Sequence, residues 1–227
     1  MKKIIYIDGQ NFIYKASETL VEAGLIKSKN DLTKFNFRKI FENIFPDKDF
    51  EIRYYGTSIK AKRKSVKLML LNSGRYKDGS SNLEKAVGKI IAKARKFADI
   101  SRIIRSHLIN QKIGFIESGM LKLRDADACK KCGEQDFKFQ EKGVDVGMAV
   151  DILFDSIEHP DRELVIVSSD TDIIPALEKA KLKGANLTYV GFNNRLTIGI
   201  SVLCSKREII RDSEIIEAFK NLNPEVK

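Results

Sequence analysis

Residues 167–175 read VSSDTDIIP, directly after Leu164-Val165-Ile166. An apolar, β-branched run bounded by polar residues has the form of a buried central strand. Asp170 and Asp172 stand at its carboxyl end, Pro175 falls in a first helical turn, and an apolar-periodic helix follows. Two carboxylates so close repel one another unless a cation or a proton lies between them. Ser and Asp at strand-to-helix junctions also serve as helix N-caps, a role that needs no ligand.

Working outward, the N-terminus repeats the pattern: Ile4-Ile5-Tyr6-Ile7 ends in Asp8 and is followed by Gly9, Gln10 and Asn11. Further strands are expected at 51–56, 113–123, 164–168, 187–191 and 207–211, with the first at 3–7. Helical patterns fall at 12–23, 36–45, 83–109, 146–158, 175–182 and 214–221. Such alternation predicts an α/β domain with a mostly parallel central sheet. The basic stretch 58–109 and the polar, cysteine-bearing stretch 124–140 fit the alternation poorly. Both are read as insertions into one domain over 1–210, and 211–227 as a C-terminal helix or tail.

In open α/β sheets, ligands bind in the crevice beyond the carboxyl ends of the strands. Asp8 and the Asp170/Asp172 pair share that crevice if their strands are neighbours. A further acid comes from KGVDVGMAVDILFDSIE, residues 142–158. There Val146, Ala149, Val150, Leu153, Phe154 and Ile157 follow helical spacing and predict the buried face. Asp145 lies at the edge of that face in the first turn, while Asp151 and Asp155 are expected to face solvent or a neighbouring loop. Four converging carboxylates call for a hard divalent cation, Mg²⁺ or Mn²⁺, which takes oxygen ligands. Such a site polarises a phosphate and activates a water for in-line attack. No Cys–His pair or G-x-S-x-G element supports a covalent nucleophile. His107 and His159 lie outside these motifs and read as surface or packing residues.

Three of these segments together, YIDGQN (6–11), KGVDVGMAVDI (142–152) and VSSDTDIIPAL (167–177), resemble the NYN domains of the PIN-like nuclease superfamily, in the bacterial LabA-type branch. The resemblance runs in order across residues 1–192. It implies a PIN-like three-layer α/β/α sandwich and a divalent-metal ribonuclease site. By the same resemblance, Asp8 is the first-strand metal ligand and Asn11 orients water or phosphate beside it. Asp145 is the helix-borne acid, and Asp170 and Asp172 are the acids after the later strand. Asp151 also falls in the family motif.

Charge points the same way. Against 31 acidic residues stand 41 basic ones, a net charge of +10 with a pI near 9.4, which favours a polyanionic partner, nucleic acid or a phosphorylated ligand. Lys85, Lys89, Lys93 and Lys96 share one side of the 83–109 helix, and Lys60, Lys62, Arg63, Lys64 and Lys67 cluster upstream. Between 58 and 109 the acids are Asp78, Glu84 and Asp99 alone. Lys60, Lys62, Arg63, Lys64, Lys85, Lys89 and Lys93 are therefore the expected contacts to a phosphate backbone. Tyr54, Tyr55 and Tyr76 are read as core or structural, with base stacking the alternative.

The odd cysteine count, three, argues against a disulfide framework and for a reducing cytoplasm. No apolar run reaches signal-peptide or transmembrane length. Cys129-Lys-Lys-Cys132 is half of a zinc knuckle, and Cys204, His107 or a second chain in a homodimer would have to complete four ligands. Rival readings are a TOPRIM-like phosphotransfer domain, a haloacid-dehalogenase-like phosphatase lacking its second first-strand Asp, and a non-catalytic RNA-binding module of the same fold.

Overall fold

The computed structural model describes residues 2–28, 32–58, 61–128, 135–193 and 196–225; Lys60, Cys129 and Cys132 lie outside them. In chain order the strands are β1 (Lys3–Asp8), β2 (Phe50–Gly56), β3 (Gly114–Glu117), β4 (Met120–Ala128), β5 (Gln135–Lys142), β6 (Glu163–Val167), β7 (Asn186–Phe192) and β8 (Lys206–Ile210). The helices are α1 (Gly9–Glu22), α2 (Phe37–Ile44), α3 (Arg63–Asn72), α4 (Ser81–Asn110), α5 (Val144–Glu158), α6 (Ile174–Leu182), α7 (Ile198–Ser201) and α8 (Asp212–Leu222). Two compact units result: Met1–Gly56 with Ile103–Gly119 and Gly143–Lys227, and Thr57–Arg102 with Met120–Lys142.

The first unit is an α/β/α sandwich around a six-stranded sheet ordered β3-β2-β1-β6-β7-β8, with every neighbouring pair parallel. Strand alternation sorts the core into two layers. Ile5, Ile7, Val165, Val167, Val190 and Tyr54 pack with Phe12, Phe37, Ile40 and Phe219 from α1, α2 and α8. Ile4, Tyr6, Leu164, Ile166, Leu187 and Tyr55 pack with Met148, Ile152, Leu177 and Ile200 from α5, α6 and α7. From β1 the chain proceeds to β2 and β3 on one side, and β6, β7 and β8 fill the other. The strand order therefore reverses at the β1/β6 boundary, where a doubly wound sheet opens a crevice.

The second unit has its own small core of Val66, Leu70, Leu83, Val87, Ile90 and Phe137. It joins α3 and the α4 residues up to Arg102 to an antiparallel β4–β5 hairpin. Here the structure corrects the single strand expected at 113–123. It is two strands, β3 and β4, parted at Gly119, whose φ of +71° suits glycine. The polar stretch 124–140 carries most of the hairpin, and α3 and α7 also went unread in the sequence.

Candidate metal centre

Strand β1 passes into α1 without a loop. Asp8 is the N-cap, its Oδ1 accepting from the Asn11 backbone N–H at 3.1 Å. Gly9 is obligatory at this junction because a Cβ would collide with the ring of Tyr54, itself buried between Phe37 and Phe115. The β6 end is built alike. Asp170 caps a single 3-10 turn, Thr171–Ile173, by accepting from the Asp172 N–H at 3.0 Å, and α6 follows with Pro175 in its first turn. At Asp170 the cap engages one carboxylate oxygen, so capping there does not preclude a ligand.

Two serines stitch the strand ends across the topological switch. Ser168 Oγ donates to Asp8 Oδ2 at 3.2 Å and accepts from the Asp170 N–H at 3.0 Å. Ser169 Oγ and the Asn11 side-chain amide bond to one another, at 2.8 and 3.0 Å. The sequence reading gave serine at this junction a capping role alone and did not pair Ser168 with Asp8 or Ser169 with Asn11. Their position between a buried strand and an acid pair was the available signal.

Asp145 arrives from the other direction, in the first turn of α5, whose N-cap Gly143 adopts φ +82°. Asp145, Asp170 and Asp172 each bring a carboxylate oxygen within 4.8 Å of the others. None of the three is ion-paired with a lysine or arginine among the described residues. In a chain with a surplus of ten positive charges, that omission leaves their mutual repulsion for another cation to offset. All donors are hard oxygens, which fits a divalent metal of the Mg²⁺ or Mn²⁺ kind. Asp8 stands outside this triad but in its field. Burial raises its pKa above the usual carboxylate value; hydrogen bonds from Asn11 and Ser168 oppose the shift, and the Asp170 and Asp145 charges add to it.

The α5 face is the opposite of the one the spacing suggested. Val144, Met148, Ile152 and Asp155 are buried, whereas Val146, Val150, Phe154 and Ile157 are each about 60% exposed. Asp155, expected to face outward, accepts from the Tyr6 hydroxyl at 2.6 Å and pairs with Arg53 beneath the helix. Asp151 accepts from the Tyr55 hydroxyl at 2.7 Å. Tyr54 and Tyr55 are core residues, and Tyr76 packs partly buried against the second unit's core.

The basic residues named from sequence belong to the second unit. Lys62, Lys64, Lys85 and Lys89 are exposed. Arg63 pairs with Glu84, and the Lys93 ammonium donates to the Phe137 carbonyl at 3.1 Å, tying α4 to β5. Cys204, one candidate partner for the Cys129/Cys132 knuckle, has its thiol pushed up to about 11 by burial, which disfavours the thiolate a metal needs. His107 and His159 are half-buried. Among the described residues no helix is long and apolar enough to cross a membrane.

With this geometry in view, comparison is informative: a family model for the NYN domain matches residues 2–205. The chain belongs to the NYN domain family. That membership favours the nuclease-like reading of the acids over the TOPRIM-like and dehalogenase-like ones. A solved structure of a protein of unknown function from Vibrio parahaemolyticus is similar at 16% identity, with 92% of each chain covered and a TM-score of 0.46. No curated protein matches.

Proposed function

We propose that this NYN domain is a metal-dependent ribonuclease that hydrolyses RNA phosphodiester bonds in the cytoplasm. The observation that carries the reading is the convergence of Asp145, Asp170 and Asp172, none of them ion-paired with a lysine or arginine among the described residues, in a strongly basic chain. When bound, Mg²⁺ or Mn²⁺ supplies Lewis acidity to the scissile phosphate and to the attacking water. The three carboxylates hold the ion, and Asp8 completes the acid set from the β1 end. Asn11, steadied by Ser169, offers its amide to the water or to a phosphate oxygen. Lys62, Arg63, Lys64, Lys85 and Lys89, with the upstream Lys60, hold the RNA backbone by charge and carry little sequence choice. Lys93 contributes charge while its ammonium also supports the fold.

The test is degradation of labelled RNA with Mg²⁺ or Mn²⁺, comparing wild type with Asp170→Asn and with a chelator. Cleavage that falls at least about a hundredfold in the variant and in chelator is expected, since removing one transition-state electrostatic group costs that much. Equal cleavage by Asp170→Asn refutes the assignment. RNA binding with no metal-dependent cleavage in wild type makes the domain a binding module of the same fold.

A further inference from the structure

Helix α5 turns its more apolar face to solvent. Val144, Met148, Ile152 and Asp155 pack on the sheet, and Val146, Val150, Phe154 and Ile157 are left about 60% exposed. On the other side of the sheet, the exposed positions of α8 are Asp212, Ser213, Glu217, Lys220 and Asn221, as expected of a surface helix. The stripe of α5 whose spacing predicts burial is therefore the one that a single copy leaves in water.

The spacing of that stripe indicates what covers it. Val146, Val150, Leu153 and Ile157 recur at intervals of four, three and four residues, the a/d seam of a helix pair. The positions flanking such a seam are Gly147, Ala149, Phe154 and Ser156. Charges there normally select one helix partner over another, and here there are none. The acids of α5 lie outside the seam: Asp151 and Asp155 accept from the Tyr55 and Tyr6 hydroxyls, and Asp145 belongs to the acidic cluster. An uncharged seam is matched by an identical one, as an isologous contact requires. Lysine and arginine are absent from α5, in a chain that has 41 of them. Two copies at +10 each repel one another, and a face without cations is where they approach at least cost. The same lack of a cationic rim sets α5 apart from helices that lie on lipid surfaces.

At these exposures the four side chains present roughly 450 Å² of apolar surface, a size that marks an interaction site on a soluble chain. Two copies face to face, with Ala149 and Leu153 included, bury about 1,000 Å², the lower limit for a specific interface. A parallel pairing brings the Asp145 ends, and with them two acidic clusters, side by side. An antiparallel one sets the clusters at opposite ends of the seam. We propose that two copies of this chain associate through α5, antiparallel about a two-fold axis, with Val146 of each against Ile157 of the other and Val150 against Leu153.

The test is sedimentation equilibrium of the full chain over about 1 to 200 µM, the weak range that an interface of this size supports. Wild type is expected to rise reversibly from 25.7 kDa toward twice that mass. Val150→Asp/Phe154→Asp is expected to associate about a hundredfold more weakly or less, because carboxylates would be buried in the seam. Its melting temperature by circular dichroism at about 1 µM, where the copies are apart, is expected to match wild type, as for exposed sites. Val150→Lys/Phe154→Lys is likewise expected to stay monomeric, and an equal mixture of the two variants to recover a dimer, since opposite charges then face one another. Wild type that is monomeric at the highest concentration overturns the proposal, as does a dimer that persists in both charged variants with their fold intact. A mixture that stays monomeric shows that the stripes do not face one another and overturns it too. Monomeric wild type that binds phospholipid vesicles, with the aspartate variant losing that binding, reassigns the face to membranes and equally overturns it. RNA cleavage is not read here, so its absence would refute the ribonuclease reading alone.

Discussion

Asp8 shows how a single carboxylate can cap a helix and still carry a shifted titration. It caps α1 and bonds Ser168, yet burial raises its pKa, with the Asp170 and Asp145 charges adding to the shift. The folded chain therefore holds this proton more tightly than the unfolded chain, so its contribution to stability falls as pH rises from the usual carboxylate value through the raised one. Above that window the ionised group destabilises the metal-free fold. Asp8→Asn keeps a good N-cap and removes the charge. In chelator near neutral pH it is expected to melt above wild type, and with Mg²⁺ or Mn²⁺ to cleave no RNA; a lower melting temperature by circular dichroism refutes the electrostatic account. Asp155 is the contrasting acid. Buried against Arg53 and the Tyr6 hydroxyl, it is structural. Asp155→Ala strands the Tyr6 hydroxyl and removes one of the two carboxylates on Arg53, which keeps Glu51, at a cost of about 1–3 kcal/mol in urea unfolding. A loss under about 0.5 kcal/mol would mean that Glu51 alone satisfies Arg53 and that the Tyr6 hydroxyl finds another acceptor.

Helix α5 marks where sequence periodicity stopped being informative. Its apolar residues nearly encircle it, so two different stripes satisfy helical spacing, and the more apolar one was taken for the core. The true buried stripe, Val144, Met148, Ile152 and Asp155, includes an acid that no hydrophobic pattern would select, because its burial depends on Tyr6 and Arg53 from distant strands. Strands β1 and β6, by contrast, were legible: both are buried on both faces and are followed by acids, and both signals are local. The β4–β5 hairpin was not, because only one of its faces packs and that face reads as scattered apolar residues in polar sequence. The two α5 faces are separable by experiment. Ile152→Ala is expected to cost about 2–5 kcal/mol, as for a fully buried aliphatic residue. Phe154→Ala is expected to change stability by about 0.5 kcal/mol or less, as for an exposed site. Similar losses in the two would reverse the assignment of faces.

Across the whole molecule, the acids and the lysines singled out by sequence belong to two different cores. Asp8, Asp145, Asp170 and Asp172 all belong to the sheet unit, whereas the hairpin and the lysines of α3 and α4 belong to the other. A ligand that binds only the folded state stabilises by an amount set by its concentration relative to Kd, about 2.7 kcal/mol at a hundredfold excess. For a divalent metal, that gain enters through the unit that owns the ligands. Hydrogen exchange followed by mass spectrometry is therefore expected to slow on adding Mn²⁺ in β1, β6, α6 and the start of α5. Exchange in α3 and β4–β5 is expected to stay as it was. Asp170→Asn should erase the slowing without altering the metal-free pattern, because asparagine keeps the local cap while removing the charge. Protection that instead spread equally over both units would show that they unfold as one, and the metal's effect could then not be assigned to the acidic cluster by its position.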